Sequence, residues 1–168
     1  MEKFDILDIN GNATGLTANK GSRLCAGQYY LGTHAYIYNS SLKFLLQQRS
    51  YSKEFLPGGW DVHLEHAIAG ESSLECVCRG LFEEIGLYVC ASSIKPPWRL
   101  IWEEYNHIVD VYFIQVDFDV CKLIYQNDEV ISLKTVSLDE MVSLINGMLY
   151  RPYEYRHFVI NKVTNLRM

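Results

Sequence analysis

Residues 70–87 read GESSLECVCRGLFEEIGL, and the spacing predicts a helix with both ends marked. Ser72 and Glu75 form a capping-box pattern, in which the serine and a glutamate three residues on satisfy each other's backbone N–H groups. Leu74, Val77, Cys78, Leu81 and Ile85 recur at helical spacing, and Gly86 is placed to stop the helix. At about 100° per residue Leu74, Cys78, Leu81 and Ile85 define a buried face, Glu83 falls nearly opposite, and Glu84 lies with Gly80 on one flank. Glu71 leaves a loop whose end the cap fixes, so it can reach the same region. Carboxylates converging in this way repel one another unless a hard cation sits among them, and oxygen ligands suit Mg²⁺ or Mn²⁺. Gly80 is out of place by local rules, since a mid-helix glycine costs about 1 kcal/mol relative to alanine.

On the N-terminal side the chain reads as strands. FDILDINGNATG alternates and then breaks at Asn10–Gly11, giving a strand and a turn, and GQYYLGTHAYIYNSSLKFLLQQRS gives a hairpin from Tyr29–Tyr38 to Phe44–Arg49. LPGGW forces a loop, and WDVHLEHAIAGE is one short strand feeding a turn at Gly70. On the C-terminal side two strands, Arg99–Tyr105 and Val109–Phe118, are joined by NHI, and EVISLKTVSL supplies one more. Ser137 with Glu140 caps a helix to about Asn146, and a last helix follows Pro152. Strands first and helices late predict an α+β fold, an α/β/α sandwich around a mixed sheet. With no repeat and no dividing linker, residues 1–168 are expected to form one domain.

Composition narrows the function. Fifteen Lys+Arg against twenty Asp+Glu give a formal net charge of -5, and no basic run could track a phosphate backbone, which argues against a nucleic-acid polymer as partner. No run approaches the roughly 18 apolar residues of a membrane span. The charged N-terminus carries no secretory pattern, so a cytoplasmic location without membrane attachment is expected. Five cysteines, an odd number without paired spacing, read as reduced structural thiols; Cys76 and Cys78, about 200° apart on the helix, are badly set to grip one metal.

The spacing of Glu71, Arg79, Leu81, Glu83, Glu84, Gly86 and Leu87 resembles the Nudix box, G-x5-E-x7-R-E-U-x-E-E-x-G-U with U aliphatic. Seven of its nine defined positions agree between residues 65 and 87. DILDINGNATG, LLQQRS, LPGGWDV, AIAGESS and NDEVISLKTVSLDEM are similar to segments of the Nudix branch related to type I isopentenyl diphosphate isomerase. The resemblance implies a Mg²⁺- or Mn²⁺-dependent hydrolase of a diphosphate linkage in a nucleoside diphosphate derivative or related small molecule. By position, Glu83 and Glu84 are implied as metal ligands, with Glu71 supporting the metal or its loop. Arg79 is implied to orient a box carboxylate. Family members often dimerise, so a homodimer is an expectation of the resemblance.

Two box positions depart. Gly80 stands where the family has a glutamate that often serves as ligand or base; either the site lost a carboxylate or another segment comes so close that only glycine fits. Glu65 replaces the box's first glycine, so this loop is expected to differ in shape, and Glu65 could itself join the metal cluster. A base from outside the box is then expected, with Glu129 the first candidate and Asp110, Glu103 and Glu104 behind it. A Nudix-fold protein that binds a diphosphate without turning it over is the alternative that Gly80 and Glu65 favour. Isomerisation is disfavoured because Leu64 stands at the position of that branch's catalytic cysteine. His34 and His66 read as structural, His63 and His107 carry no argued role, and Trp60, Trp98, Trp102, Tyr105 and Tyr153 read as core more than as base-stacking residues.

Overall fold

The computed structural model describes residues 2–125 and 128–167; Asn127 of the NDEV segment lies outside them. Strands β1 (Lys3–Leu7) and β2 (Ala13–Asn19) form a separate antiparallel ribbon. Its turn is closed by Asp8, whose Oδ1 accepts the N–H groups of Asn10 and Asn12 at 2.9 Å each, and Gly11 takes the left-handed conformation there (φ +81°).

The main sheet runs β5 (Trp60–Asp61), β4 (Phe44–Arg49), β3 (Tyr30–Tyr38), β8 (His107–Gln115) and β7 (Trp98–Trp102), with β6 (His63–His66) also on β3 and β9 (Val130–Val136) also on β4. It is mixed, because β3 and β8 run parallel while the other pairs are antiparallel. Two expectations are corrected. The hairpin of β3 and β4 pairs only at its closed end, Tyr38 opposite Phe44. The strands then diverge, and the segment expected as one strand runs between them as two. Gln47 and Gln48 of β4 pair with Asp61 and Trp60, after which Ala35 to Gly32 of β3 pair with His63 to His66. The link before β8 is a 3-10 turn, Glu103–Tyr105, closed by Asn106 in the left-handed conformation (φ +54°), so β7 ends at Trp102 and β8 begins at His107, before its expected start, and ends at Gln115, short of its expected end.

Period-two alternation along β3 feeds two cores. Ala35 and Ile37 pack against helix α1 (Ser73–Ile85) through Val77, Leu81 and Ile85, while Tyr36 and Tyr38 pack against helices α2 (Leu138–Gly147) and α3 (Tyr153–Thr164) through Leu138, Met141, Ile145, Tyr155 and Val159. Each such buried aliphatic contributes about 1.5–3 kcal/mol, so both helical layers are held by the sheet. Trp98 lies in this packing, stacked on Phe158 at 3.9 Å. Among the described residues no helix is long and apolar enough to cross a membrane.

Beneath α3 lies a buried polar network absent from the sequence reading. Arg151, 3% exposed, donates from Nη2 to both carboxylate oxygens of Asp61, 0% exposed, at 2.7 and 2.8 Å. Its Nη1 donates to His34 Nδ1 at 2.6 Å and to the Tyr155 hydroxyl at 2.9 Å, and Tyr155 meets the Tyr36 hydroxyl at 2.9 Å. Accepting at Nδ1 requires a neutral His34; burial, then the Arg151 charge, hold its pKa well below the usual value. The expected structural role of His34 is met here.

Arg151→Met, which strands the Asp61 charge, is expected to lower unfolding stability by about 3–5 kcal/mol, read from urea denaturation, and Asp61→Asn in the same chain to recover part of the loss. His34 gives a pH dependence of definite sign. With its folded pKa depressed below the unfolded value of about 6.5, its contribution is present above that pH and lost as pH falls. Between pH 7.5 and 5.5 the urea midpoint is expected to fall, and to fall less in His34→Gln.

Candidate metal-binding site

Helix α1 begins and ends where its sequence marks it. Ser72 Oγ accepts the Glu75 N–H at 3.3 Å and Glu75 Oε2 accepts the Ser72 N–H at 2.8 Å. Gly86, at φ 66°, closes the other end with its N–H on the Phe82 carbonyl at 3.0 Å and Leu87 N–H on Leu81 at 3.0 Å. The buried face is rotated from the expected stripe: Cys76, Val77, Gly80, Leu81 and Ile85 face the sheet, while Leu74 and Cys78 are half-buried at its margin. Cys76 and Gly80, one turn apart and both small, let the sheet come close. Cys76 Sγ lies 3.6 Å from Thr33 Oγ1, and burial pushes its thiol up to about 12, so it stays protonated and inert.

Strand β6 passes over that strip. Leu64 turns to the α2/α3 core, and the residues on either side of it, His63 and Glu65, turn to α1. A Cβ on Gly80 would lie 2.7 Å from His63 Nε2, 2.8 Å from Glu65 Cγ and 3.0 Å from Glu65 Oε2. Close approach is therefore why glycine stands at 80, and the approaching segment brings a carboxylate of its own.

Arg79 organises the acidic side chains around it. Its Nε and Nη2 donate to the two oxygens of Glu71 at 2.8 and 3.0 Å, Nη2 also donates to the His66 carbonyl at 3.0 Å, and Nη1 donates to Glu83 at 3.2 Å. Glu65 Oε2 lies 3.6 Å from the same Nη1. Glu71 Oε2 also accepts the Ile68 N–H at 3.0 Å, so this carboxylate locks the loop at 66–71 as well as the arginine. Glu83 keeps the more solvent-facing position, its side chain 55% exposed.

Glu84 points the other way. Its side chain is mostly buried, with Oε2 3.3 Å from His63 Nδ1. Burial pushes the Glu84 carboxyl up, and His63, aided by Lys53 and Arg49, overrides it and leaves the carboxyl below its usual range. Burial and the Glu84 charge push the Glu65 carboxyl up, against the pull of His63 and Arg79. Glu65, Glu84 and His63 thus form one electrostatic group. Two of its buried atoms, Glu84 Oε2 and His63 Nε2, are left without a satisfying hydrogen bond, although His63 Nδ1 approaches Glu84 Oε2 to 3.3 Å.

Glu129, in the turn just before β9, pairs with Lys53, whose charge is also felt at Glu84. Asp110 is spent on Arg99, at 2.7 Å from both Nε and Nη2, and Glu103 and Glu104 are exposed in the 3-10 turn. His66 meets His107, Nε2 to Nε2 at 2.8 Å, a structural pair in which burial and the neighbouring His107 lower His66 to about 3.

Among the described residues no three His, Cys, Asp or Glu side chains are drawn into one coordination shell, because Arg79 and Lys53 hold the carboxylates in ion pairs. The donors are nonetheless those that a hard divalent cation takes: clustered carboxylates, with a buried Glu84 oxygen that no protein hydrogen bond satisfies.

A mixed sheet between helical layers, with a capped helix presenting Arg79, Glu83 and Glu84 beside a glutamate-closed loop, defines the Nudix class. The NUDIX domain model matches residues 29–157, and the chain belongs to that family. It is 30% identical over 168 residues to an uncharacterised Nudix hydrolase of Listeria monocytogenes, covering 99% of this chain and 96% of that one. It is 31% identical over 144 residues to the isopentenyl-diphosphate Delta-isomerase of Pectobacterium atrosepticum, covering 81% and 76%. The fold matches the NUDIX domain of Shewanella oneidensis NrtR, solved with ADP-ribose, with a TM-score of 0.59 at 17% identity, covering 89% and 93%. These relatives set the chain among Nudix-type hydrolases, a family that works with divalent metal.

Arg79→Lys keeps the charge and loses the planar fork. It is expected to cost about 1–2 kcal/mol of stability, seen as a lower thermal midpoint, and to speed proteolysis within the loop at 66–71.

Proposed function

We propose that this chain hydrolyses a diphosphate linkage in a nucleoside diphosphate derivative or a related small molecule, with Mg²⁺ or Mn²⁺ bound by Glu83 and Glu84. The observation that carries the reading is the Glu83–Glu84 pair, split by α1 into a solvent-facing carboxylate on Arg79 and a buried one with an unsatisfied oxygen. A bound divalent cation would offset the diphosphate charge and lower the pKa of water. Glu71 joins the metal set or, through Arg79 and the Ile68 N–H, holds the loop that frames it. Arg79 is a positioning residue, orienting Glu71 and Glu83.

Glu129 is the proposed general base, and its ion pair with Lys53 is the contact that has to open. In the step itself the water proton passes to Glu129 and the water oxygen bonds to phosphorus. The bridging P–O bond breaks, and the departing phosphate carries the electron pair away. The ADP-ribose held by the Shewanella domain supports including such a compound among the substrates tested. Hydrolysis is preferred to isomerisation because Leu64 is packed in an apolar core and offers no acid for protonating a double bond.

The test is turnover of a panel of nucleoside diphosphates, ADP-ribose and other nucleotide sugars, dinucleoside polyphosphates and isoprenoid diphosphates, with Mg²⁺ or Mn²⁺. The expected result is metal-dependent cleavage that falls at least about a hundredfold in Glu84→Gln. Glu129→Gln is expected to lower kcat with KM little changed. Metal-dependent thermal stabilisation by one compound with no cleavage of any would replace hydrolysis with binding alone.

A further inference from the structure

We infer that Glu65 of β6 supplies the cation site with the carboxylate that residue 80 of the helix does not carry, so that one acidic group has moved from helix to strand within the same pocket. The inference rests on the proposed divalent-cation site and adds a residue to it. Glu65 Oε2 lies 3.0 Å from where a Gly80 Cβ would stand, so the strand carboxylate fills the space into which a helix side chain would grow. Glu84 is near enough to act on Glu65 electrostatically, and two carboxylates brought together in a largely buried place repel unless a cation lies with them.

A second, independent observation points to a ligand in this hollow. His63, only 2% exposed, aims Nε2 at the Gly80 hollow, 2.7 Å from its Cβ position, and that atom makes no hydrogen bond. Its other nitrogen lies 3.3 Å from both Gln47 Oε1 and Glu84 Oε2, two acceptors that require a proton on Nδ1. With Nδ1 turned to those acceptors, Nε2 is the ring nitrogen that faces Glu65 and the Gly80 hollow without a partner. An unpaired buried nitrogen next to clustered carboxylates is costly as it stands, and a cation bound among them is the ligand whose donors this hollow supplies.

Mn²⁺ binding to the whole protein, followed by electron paramagnetic resonance and calorimetry, tests this without reference to turnover. Glu65→Gln is expected to weaken Mn²⁺ affinity about ten- to a hundredfold, and Glu84→Gln to weaken it as well. Gly80→Glu alone is expected to lower the thermal midpoint, since two side chains would compete for one space. The exchange E65G/G80E removes the Glu65 contacts but leaves His63 Nε2 2.7 Å from the new Cβ, so it is expected to recover part of that midpoint and to bind Mn²⁺ within about threefold of the original chain, a margin of less than 1 kcal/mol. Affinity lost in Glu84→Gln but unchanged in Glu65→Gln would overturn the role of Glu65 and leave the site standing. No Mn²⁺ binding by the unaltered chain, or none lost in Glu84→Gln, would overturn both. An exchange variant that stays folded and does not bind, where Glu65→Gln has also lost binding, would show that the carboxylate works only from the strand; this would overturn the equivalence of the two positions.

Discussion

The guanidinium of Arg79 is the contact on which the acidic end of the molecule depends. Three stretches meet there: the loop through Glu71 and the His66 carbonyl, the strand through Glu65, and the helix through Glu83. Without a cation at their centre these carboxylates would repel across a partly buried space, and the loop at 66–71 would have no fixed path onto α1. A planar fork meets Glu71 with two hydrogen bonds and still has N–H groups for the carbonyl and for Glu83, which a lysine ammonium cannot reproduce. The same pairing explains why, among the described residues, no ready-made coordination shell stands open: positive charge is already among the acids, and a divalent cation entering the site competes with it.

What Arg79 does on one side of the segment 60–66, Arg151 does on the other. Asp61 is tied to Arg151 beneath α3, and two to four residues on, His63 and Glu65 are set against α1. Between them the chain changes partner from β4 to β3. The short stretch is thus fixed on both faces, and the placing of Glu65 beside Gly80 follows from a register that the buried ion pair helps hold. A buried pair of this kind is weak support for net stability, but breaking it leaves a stranded charge; its effect here is to make the path of the segment definite.

Much of this was legible in the chain. The capping boxes at Ser72 and Ser137, the stop at Gly86 and the turn at Asn10–Gly11 are local signals, and each appears where its residues put it. What was not legible depends on contacts between distant residues. WDVHLEH has the alternation of a single strand, and only the divergence of β3 from β4 divides it. Arg151 sits in a tyrosine-rich turn with no pattern about it, and its partner Asp61 is ninety positions away. The rotation of α1 toward Cys76 and Gly80 was hidden because hydrophobicity ranks leucine above glycine, whereas close packing against β6 favours the smaller residue.

Glu65 and Gly80 show most clearly how a motif and a site differ. Taken singly, each is a fault: a carboxylate pushed into a half-buried strand, and a glycine that costs a helix about 1 kcal/mol. Period-two alternation puts residue 65 on the face that β6 turns to α1, and the helix brings residue 80 beneath it, so each fault is the condition for the other. A pattern that scores positions one at a time records two losses. In space the acidic group is kept, and the only signal of it in the sequence is that the two departures from the box are complementary in size and charge, one residue gaining the carboxylate that the other lacks.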